Sequence, residues 1–510
     1  MIEEMKQTIE GTYGNLSMTE NGALGYISTG SKLVDLNFRL PSMRNGLSSS
    51  DVCDFISAMN DNLLYAVKWM FFVRDVREGV GERSVFIELY KLFYEKYPEQ
   101  AIRCLDYISE YGRYKDVVDI AFNCDSALKE KCFEIIKNQL MEDAKNFTDG
   151  KGISLLAKWM PSVNATSKTR VRAKEISKYL GLNFCEYRKM LSRFRAYLDV
   201  TEVKTCANKW GEIDYNKVSS RANLKYTNAF IKHDCIRRMA YLNNVLNHIN
   251  GAKMNASVLY PHEIWGKYCN GNYWGEISNV EDSLEALWNN LKDMGDCGNT
   301  LVVCDGSGSM TCHVNGVMPL YISRSLGVYF AERCTGEFHN NIIEFSSRPK
   351  LINIGHCKNL AEKISEMNLH SDCSNTDIER TFMLILDTAV KNNMPQEDMP
   401  ERVLVISDME FDGATNDYGR NYKTLFEELR ERFEIHGYKL PKMVFWNVAS
   451  RTNTIPVIEN DFGVILVSGF SVNILKMVLS NETNPWLAMK QILDSERYSV
   501  FDFLTKEDEA

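Results

Sequence analysis

The residues best equipped to do chemistry in this 510-residue chain stand in "LVVCDGSGSMTC", positions 301 to 312. A short apolar run delivers Asp305, after which Gly306, Ser307, Gly308 and Ser309 alternate. Spacing disposes of three familiar chemistries. A phosphate-cradling P-loop requires Lys and then Ser or Thr after its second glycine, but Ser309 and Met310 occupy that place. An EF-hand loop opened by Asp305 requires a Glu at its twelfth position, which here is Gly316. A nucleophile elbow requires Gly two residues to either side of its serine, whereas Ser307 is flanked at that spacing by Asp305 and Ser309. What survives is Asp-x-Ser-x-Ser at the carboxyl end of a buried strand, one carboxylate and two hydroxyls around a single point. Such hard oxygen donors suit Mg²⁺; a Gly/Ser turn without a ligand is the plainer alternative.

The elements that must position these residues follow from the rhythm of the chain after Gly298. Strand-like runs "TLVVCD", "NIIEFSS", "KLINIG", "RVLVISDM", "KMVFWNVAS" and "FGVILVSG" alternate with helical runs such as "PLYISRSLGVYFAERC" and "DIERTFMLILDTAVKN". Near-continuous apolar strands alternating with helices predict a doubly wound, Rossmann-like parallel sheet over residues 298–485. Ligands of such sheets sit at the carboxyl ends of strands, where Asp305 stands. The same edge must then supply the remaining donors. "SNTDIER" offers Thr376 just before a helix, and "VLVISDME" offers Asp408 at the end of the fourth strand. Capping and strand-end duty are the ordinary readings of those two residues taken singly. Asp377, Glu410 and Asp412 are close enough in sequence to support the set, or to be solvated.

This order of residues resembles the metal-ion-dependent adhesion site of von Willebrand factor A domains. The resemblance implies that Ser307, Ser309 and Thr376 ligate Mg²⁺ directly, that Asp305 and Asp408 act largely through water, and that an open position accepts a carboxylate from an acidic protein partner. A second resemblance lies upstream. "TENGALGYISTGSKLVDLNFRLPSMR", "KWMFFVRDVREGVGERSVF", "LLAKWMPS", "EYRKMLSRFR" and "PHEI" resemble an uncharacterised family of Ro-like proteins from plants, bacteria and viruses, in which a helical domain precedes a von Willebrand A domain. That arrangement is similar to the Ro autoantigen, whose TROVE module, a ring of HEAT repeats, binds structured RNAs and single-stranded RNA ends. The resemblance implies a non-enzymatic RNA-binding protein of ribonucleoprotein type.

Independently of resemblance, residues from about 50 to 290 carry period-3.6 apolar patterns, as in "NLLYAVKWMFFVRDV" and "SALKEKCFEIIKNQLMEDAKN". The expected architecture is therefore an all-α, HEAT-like solenoid or ring over residues 1–295, the α/β domain over 298–485, and a helical tail over 486–510. The net charge of −9 argues against nucleic acid when taken whole. Its distribution argues the other way: residues 151–250 hold 19 Lys and Arg against 7 Asp and Glu, which points to a polyanion. Within that segment Lys168, Arg170, Arg172, Lys174 and Lys178 form one set, and Arg188, Lys189, Arg193 and Arg195 a second beside Tyr187 and Phe194. Arginine pairs with phosphate and stacks on bases, so both sets are candidate RNA contacts. The alternative is that Arg193 and Lys189 pair with the acidic helices of residues 51–150. "RDVREGVGER" alternates in sign and reads first as an interhelix salt-bridge segment.

His262 and Glu263 lack a nucleophile or metal partner at useful spacing, and Pro261 opening a helix accounts for them. No catalytic constellation emerges. The 14 cysteines are scattered without a C-x-x-C pair and read as reduced thiols. The polar, acidic N-terminus and the lack of a bilayer-length apolar run lead to the expectation of a cytoplasmic protein, or a virion component, without a membrane.

Overall fold

A computed structural model describes residues 15–22, 24–124, 126–269, 282–314, 316–345, 349–370, 377–411, 425–456, 464–478 and 484–505. The chain divides into two compact units: Met1–Ala66 with Ala256–Val500, and Val67–Asn255 with Phe501–Ala510. These units do not follow the linear division expected at residues 295–298. The first 66 residues and the segment from 256 join the sheet-bearing unit, and the last ten residues join the helical one.

The first unit contains a small hairpin, β1 (Leu16–Met18) and β2 (Leu24–Tyr26), and a six-stranded sheet. The sheet strands are β3 (Thr300–Asp305), β4 (Asn341–Phe345), β5 (Lys350–Asn353), β6 (Arg402–Ser407), β7 (Lys442–Asn447) and β8 (Val464–Ser468). Their spatial order is β5-β4-β3-β6-β7-β8. All neighbours are parallel except β4 and β5, which are antiparallel. The expectation of a parallel sheet fails at that edge for a simple reason. Only four residues separate β4 from β5, and a parallel crossover needs a dozen or more. Every residue of β3 and of β6 is buried, as their unbroken apolar runs require of strands covered on both faces. Pro319–Ala331 is buried at each of its residues and packs along β3, with Ser323 Oγ donating to the Ile406 carbonyl at 2.9 Å.

The hairpin was not foreseen in the sequence. It binds to the same unit through Tyr26, whose N–H donates to the Ile455 carbonyl at 2.8 Å while the Ile455 N–H returns a bond of 2.9 Å. Gly25 permits this approach, because a Cβ there would sit 2.6 Å from Thr454 Cγ2 and 2.7 Å from the Ile455 carbonyl oxygen.

The second unit is helical, as its periodicity predicts. Ser84–Lys96 buries Val85, Phe86, Leu89, Tyr90 and Phe93, the i, i+4 stripe of an amphipathic helix. Phe501, near the C-terminus, packs its ring 4.3 Å from that of Phe71. The charged stretch around Arg74 is internal bridging, as its alternation suggested. Arg74, almost wholly buried, donates from Nε (2.9 Å) and Nη2 (2.6 Å) to Asp116, which also accepts from Arg83 Nε at 2.5 Å. Breaking such a buried pair by removing one partner typically costs about 3–5 kcal/mol. Among the described residues, no helix is long and apolar enough to cross a membrane.

Candidate functional site

The sheet order reverses between β3 and β6, and in a doubly wound sheet the crevice at such a point is where ligands bind. Asp305 ends β3 there and is fully buried. The parallel register sets Cys304 against Ile406, so the next residue of β6, Ser407, falls beside Asp305. Ser407 Oγ donates to Asp305 Oδ2 at 2.5 Å, and the Ser307 N–H donates to Oδ1 at 2.9 Å. Ser307 Oγ lies 3.0 Å from Ser309 Oγ, and the Ser309 hydroxyl in turn hydrogen-bonds Asp408. Four of the five candidate metal ligands are thereby brought into one hydrogen-bonded chain: Asp305, Ser307, Ser309 and Asp408. Thr376 lies outside the described residues, as does Asp412.

The electrostatics of this edge separate its carboxylates into two kinds. Glu344 on β4 is buried but fully answered: Arg324 Nε and Nη2 donate to its two oxygens at 2.9 and 2.8 Å. Glu410 is buried and held by N–H groups, from Arg451 (2.8 Å) and Thr452 (2.9 Å) on Oε1 and from Glu20 (3.0 Å) on Oε2. Asp305 and Asp408 differ. Burial raises the Asp305 carboxyl to about 7, and the charge of Asp408 pushes the same way. Burial raises Asp408 as well. The cation beside Asp408 is Arg451, with Nη2 3.6 Å from its carboxylate and 2.9 Å from that of Glu20. Two close buried carboxylates with two hydroxyls between them form a hard-oxygen donor set, which fits Mg²⁺. Among the described residues, no group of three or more His, Cys, Asp or Glu side chains could hold a metal ion; this set draws half its donors from serines instead.

Ser407, Arg451, Glu20 and the Arg324–Glu344 pair escaped the sequence reading. Ser407 could have been found only from strand register, and Glu20 and Arg451 only from the docking of the N-terminal hairpin. Gly306 also gains a specific reason: a Cβ on it would lie 2.6 Å from Glu344 Oε1. Asp377 is a helix cap, accepting from the Arg380 N–H at 3.1 Å. Glu263 caps its own helix by accepting the Tyr260 N–H at 3.0 Å, and His262 is buried against the Phe470 ring.

The basic segment forms two consecutive helices of the second unit, Ser167–Tyr179 and Phe184–Tyr197. Thr166 caps the first, and Asn183 with Glu186 makes a capping box on the second. The nine candidate RNA contacts fall into two groups. Arg172 is internal, donating to Asp119 Oδ1 at 2.7 Å with its guanidinium over the Phe122 ring. Arg195 is internal too. It donates to the carbonyls of Ala157 and Met160 and to Ser162 Oγ, each at 2.8 Å, so the second candidate set has one member whose donors are taken up internally. The other seven, Lys168, Arg170, Lys174, Lys178, Arg188, Lys189 and Arg193, are exposed and have no side-chain partner among the described residues. The alternative of internal pairing is thus not met among the described residues by Lys189 or Arg193, for which it was raised; the arginine that pairs with an acidic helix is Arg172.

Comparison with known proteins adds three similarities. Residues 299–498 match the family model of a domain of unknown function, DUF7788, and residues 164–298 match that of another, DUF2828. The change between the two matches falls just ahead of β3, and the second match contains both basic helices. The chain is also 28% identical over 517 residues to "Uncharacterized protein L728" of Acanthamoeba polyphaga mimivirus, an alignment covering 94% of this chain and 87% of that protein.

Proposed function

We propose that this chain is a non-enzymatic RNA-binding protein of Ro-like architecture, whose helical unit carries the RNA and whose sheet unit is a von Willebrand A-like domain. The observation that carries the reading is the set of seven exposed Lys and Arg side chains, without a side-chain partner among the described residues, on two consecutive helices of a chain that is acidic overall. Exposed basic side chains that pair with nothing among the described residues suit a polyanion. Mixed Lys and Arg without base-reading geometry favours backbone contact over sequence choice. Crosslinking in cells expressing the full chain tests this. RNA adducts should map to peptides of residues 167–197, and a chain that recovers no RNA, or adducts confined to the sheet unit, contradicts it.

A second role rests on the sheet edge. The linked set Asp305, Ser307, Ser309 and Asp408 supports a Mg²⁺ site of the adhesion type, with Thr376 as the fifth donor. Bound there, the ion would be held by these side chains and would supply an open coordination position for a carboxylate of an acidic protein partner. Should the basic helices prove silent toward RNA, this adaptor role is the reading that stands alone.

A further inference from the structure

The loop ahead of Thr166 and the start of helix Phe184–Tyr197 border one cavity of about 440 Å³. Arg170 and Arg188 line it from different helices, together with the Phe184 ring and the Cys185 thiol, and no Asp or Glu is among its lining residues. We propose that this cavity takes one nucleotide, its phosphate held between Arg170 and Arg188 and its base laid on Phe184. The proposal deepens the RNA reading above and rests on it: it names the unit of the strand that is gripped and the place.

Three physical features converge on that ligand. Two arginines lining one concavity give it a positive potential, and the planar forks of guanidinium groups match the oxygens of a phosphate. Both helices begin here, so the positive ends of their dipoles add to the same potential. The cavity is also larger than a phosphate needs. Its volume falls within the roughly 300–1,000 Å³ of small-molecule sites, and the half-exposed Phe184 ring, 38% accessible, offers the flat face on which a base stacks. Phosphate clamp and ring platform together describe a nucleotide, either free or at the end of an RNA strand.

Cys185 provides the readout. It is exposed, and so are Cys206 and Cys235, which do not line the cavity and serve as internal references. The full chain is alkylated with iodoacetamide and followed peptide by peptide, with adenosine monophosphate, adenosine or inorganic phosphate present. The expected result is loss of Cys185 alkylation with the mononucleotide, weaker protection with either fragment at the same concentration, and no change at Cys206 or Cys235. Arg170→Ala and Arg188→Ala should each remove the protection. Short RNAs with and without a terminal phosphate distinguish the sources: greater protection by the phosphorylated end assigns the cavity to strand termini, and equal protection assigns it to any nucleotide. Unchanged Cys185 alkylation with the mononucleotide overturns the proposal, as does protection that survives both substitutions. Failure here with RNA still bound through Lys174, Lys178 and Arg193 leaves the RNA reading intact. Protection by the mononucleotide in a chain that binds no RNA removes that reading and leaves the cavity as a free-nucleotide site.

Discussion

Ser407 Oγ donates to Asp305 Oδ2 at 2.5 Å, joining the ends of two adjacent strands whose residues stand 102 positions apart in the chain. Together with the Ser307 N–H bond to Oδ1, this bond holds the Asp305 carboxylate in place at the head of the chain that runs through Ser307 and Ser309 to Asp408. The proposed metal site draws on two strands and depends on such a tie, because each donor is individually common and only their convergence would bind an ion.

The first prediction concerns that tie. Ser407→Ala removes a hydrogen bond to a carboxylate, a contribution of about 1.5–3 kcal/mol. The variant should fold and should show a smaller rise in melting temperature on adding Mg²⁺ than the unaltered chain. An undiminished response means that Ser407 does not orient the site.

Asp305→Asn keeps the shape of the side chain and removes its charge. Without metal the variant should be at least as stable as the original chain, since burying that carboxylate beside Asp408 opposes folding. With Mg²⁺ the stabilisation should vanish. Thermal melts of both proteins with and without the ion check this, and equal Mg²⁺ responses refute the assignment of Asp305.

Gly306→Ala should be far more damaging than its size suggests. The new Cβ would meet Glu344 Oε1 at 2.6 Å, so the backbone shifts or Glu344 leaves Arg324, and a buried charge left unpaired costs roughly 3 kcal/mol or more. Denaturant unfolding of the full chain measures it. A loss below about 1 kcal/mol, the ordinary cost of an unremarkable substitution, would show that the loop has room to spare.

Arg172→Ala separates fold from function within the basic segment. It breaks the bond to Asp119 and the contact over Phe122 and should cost about 1–2 kcal/mol of stability. The salt dependence of RNA binding should stay as it was. A flattened dependence would return Arg172 to the interface.

These sites differ in how far they could be read from the sequence. The six sheet strands and the Asp305, Ser307, Ser309 motif were legible because a run such as "TLVVCD" states its burial locally, and Asp408 was legible because it ends a similar run. The direction of β5 was missed, although the four residues before it rule out a crossover. The hairpin at Leu16–Tyr26, whose strands are three residues each, is too short to carry a pattern and owes its place to Ile455. Arg172 and Arg195 read the same as Arg170 and Arg188 in sequence. They differ only in what lies opposite: a carboxylate for the first and three oxygen acceptors for the second, against solvent for the other two. Charge patterning finds a basic helix; tertiary packing decides which of its arginines are left over.

The most direct test of the central claim is the salt dependence of RNA affinity, measured on the full chain and on the Lys174→Ala, Lys178→Ala, Lys189→Ala, Arg193→Ala quadruple variant. None of these residues lines the Arg170–Arg188 cavity, so the measurement is independent of that inference. Each phosphate contact on a single strand contributes a slope of about −0.7 in log affinity against log salt. The unaltered chain should show a steep slope, and the variant a slope flatter by up to about 3 with uniformly weaker binding, at unchanged melting temperature. An RNA slope identical in the two proteins, or no RNA binding by either at low salt, would contradict it.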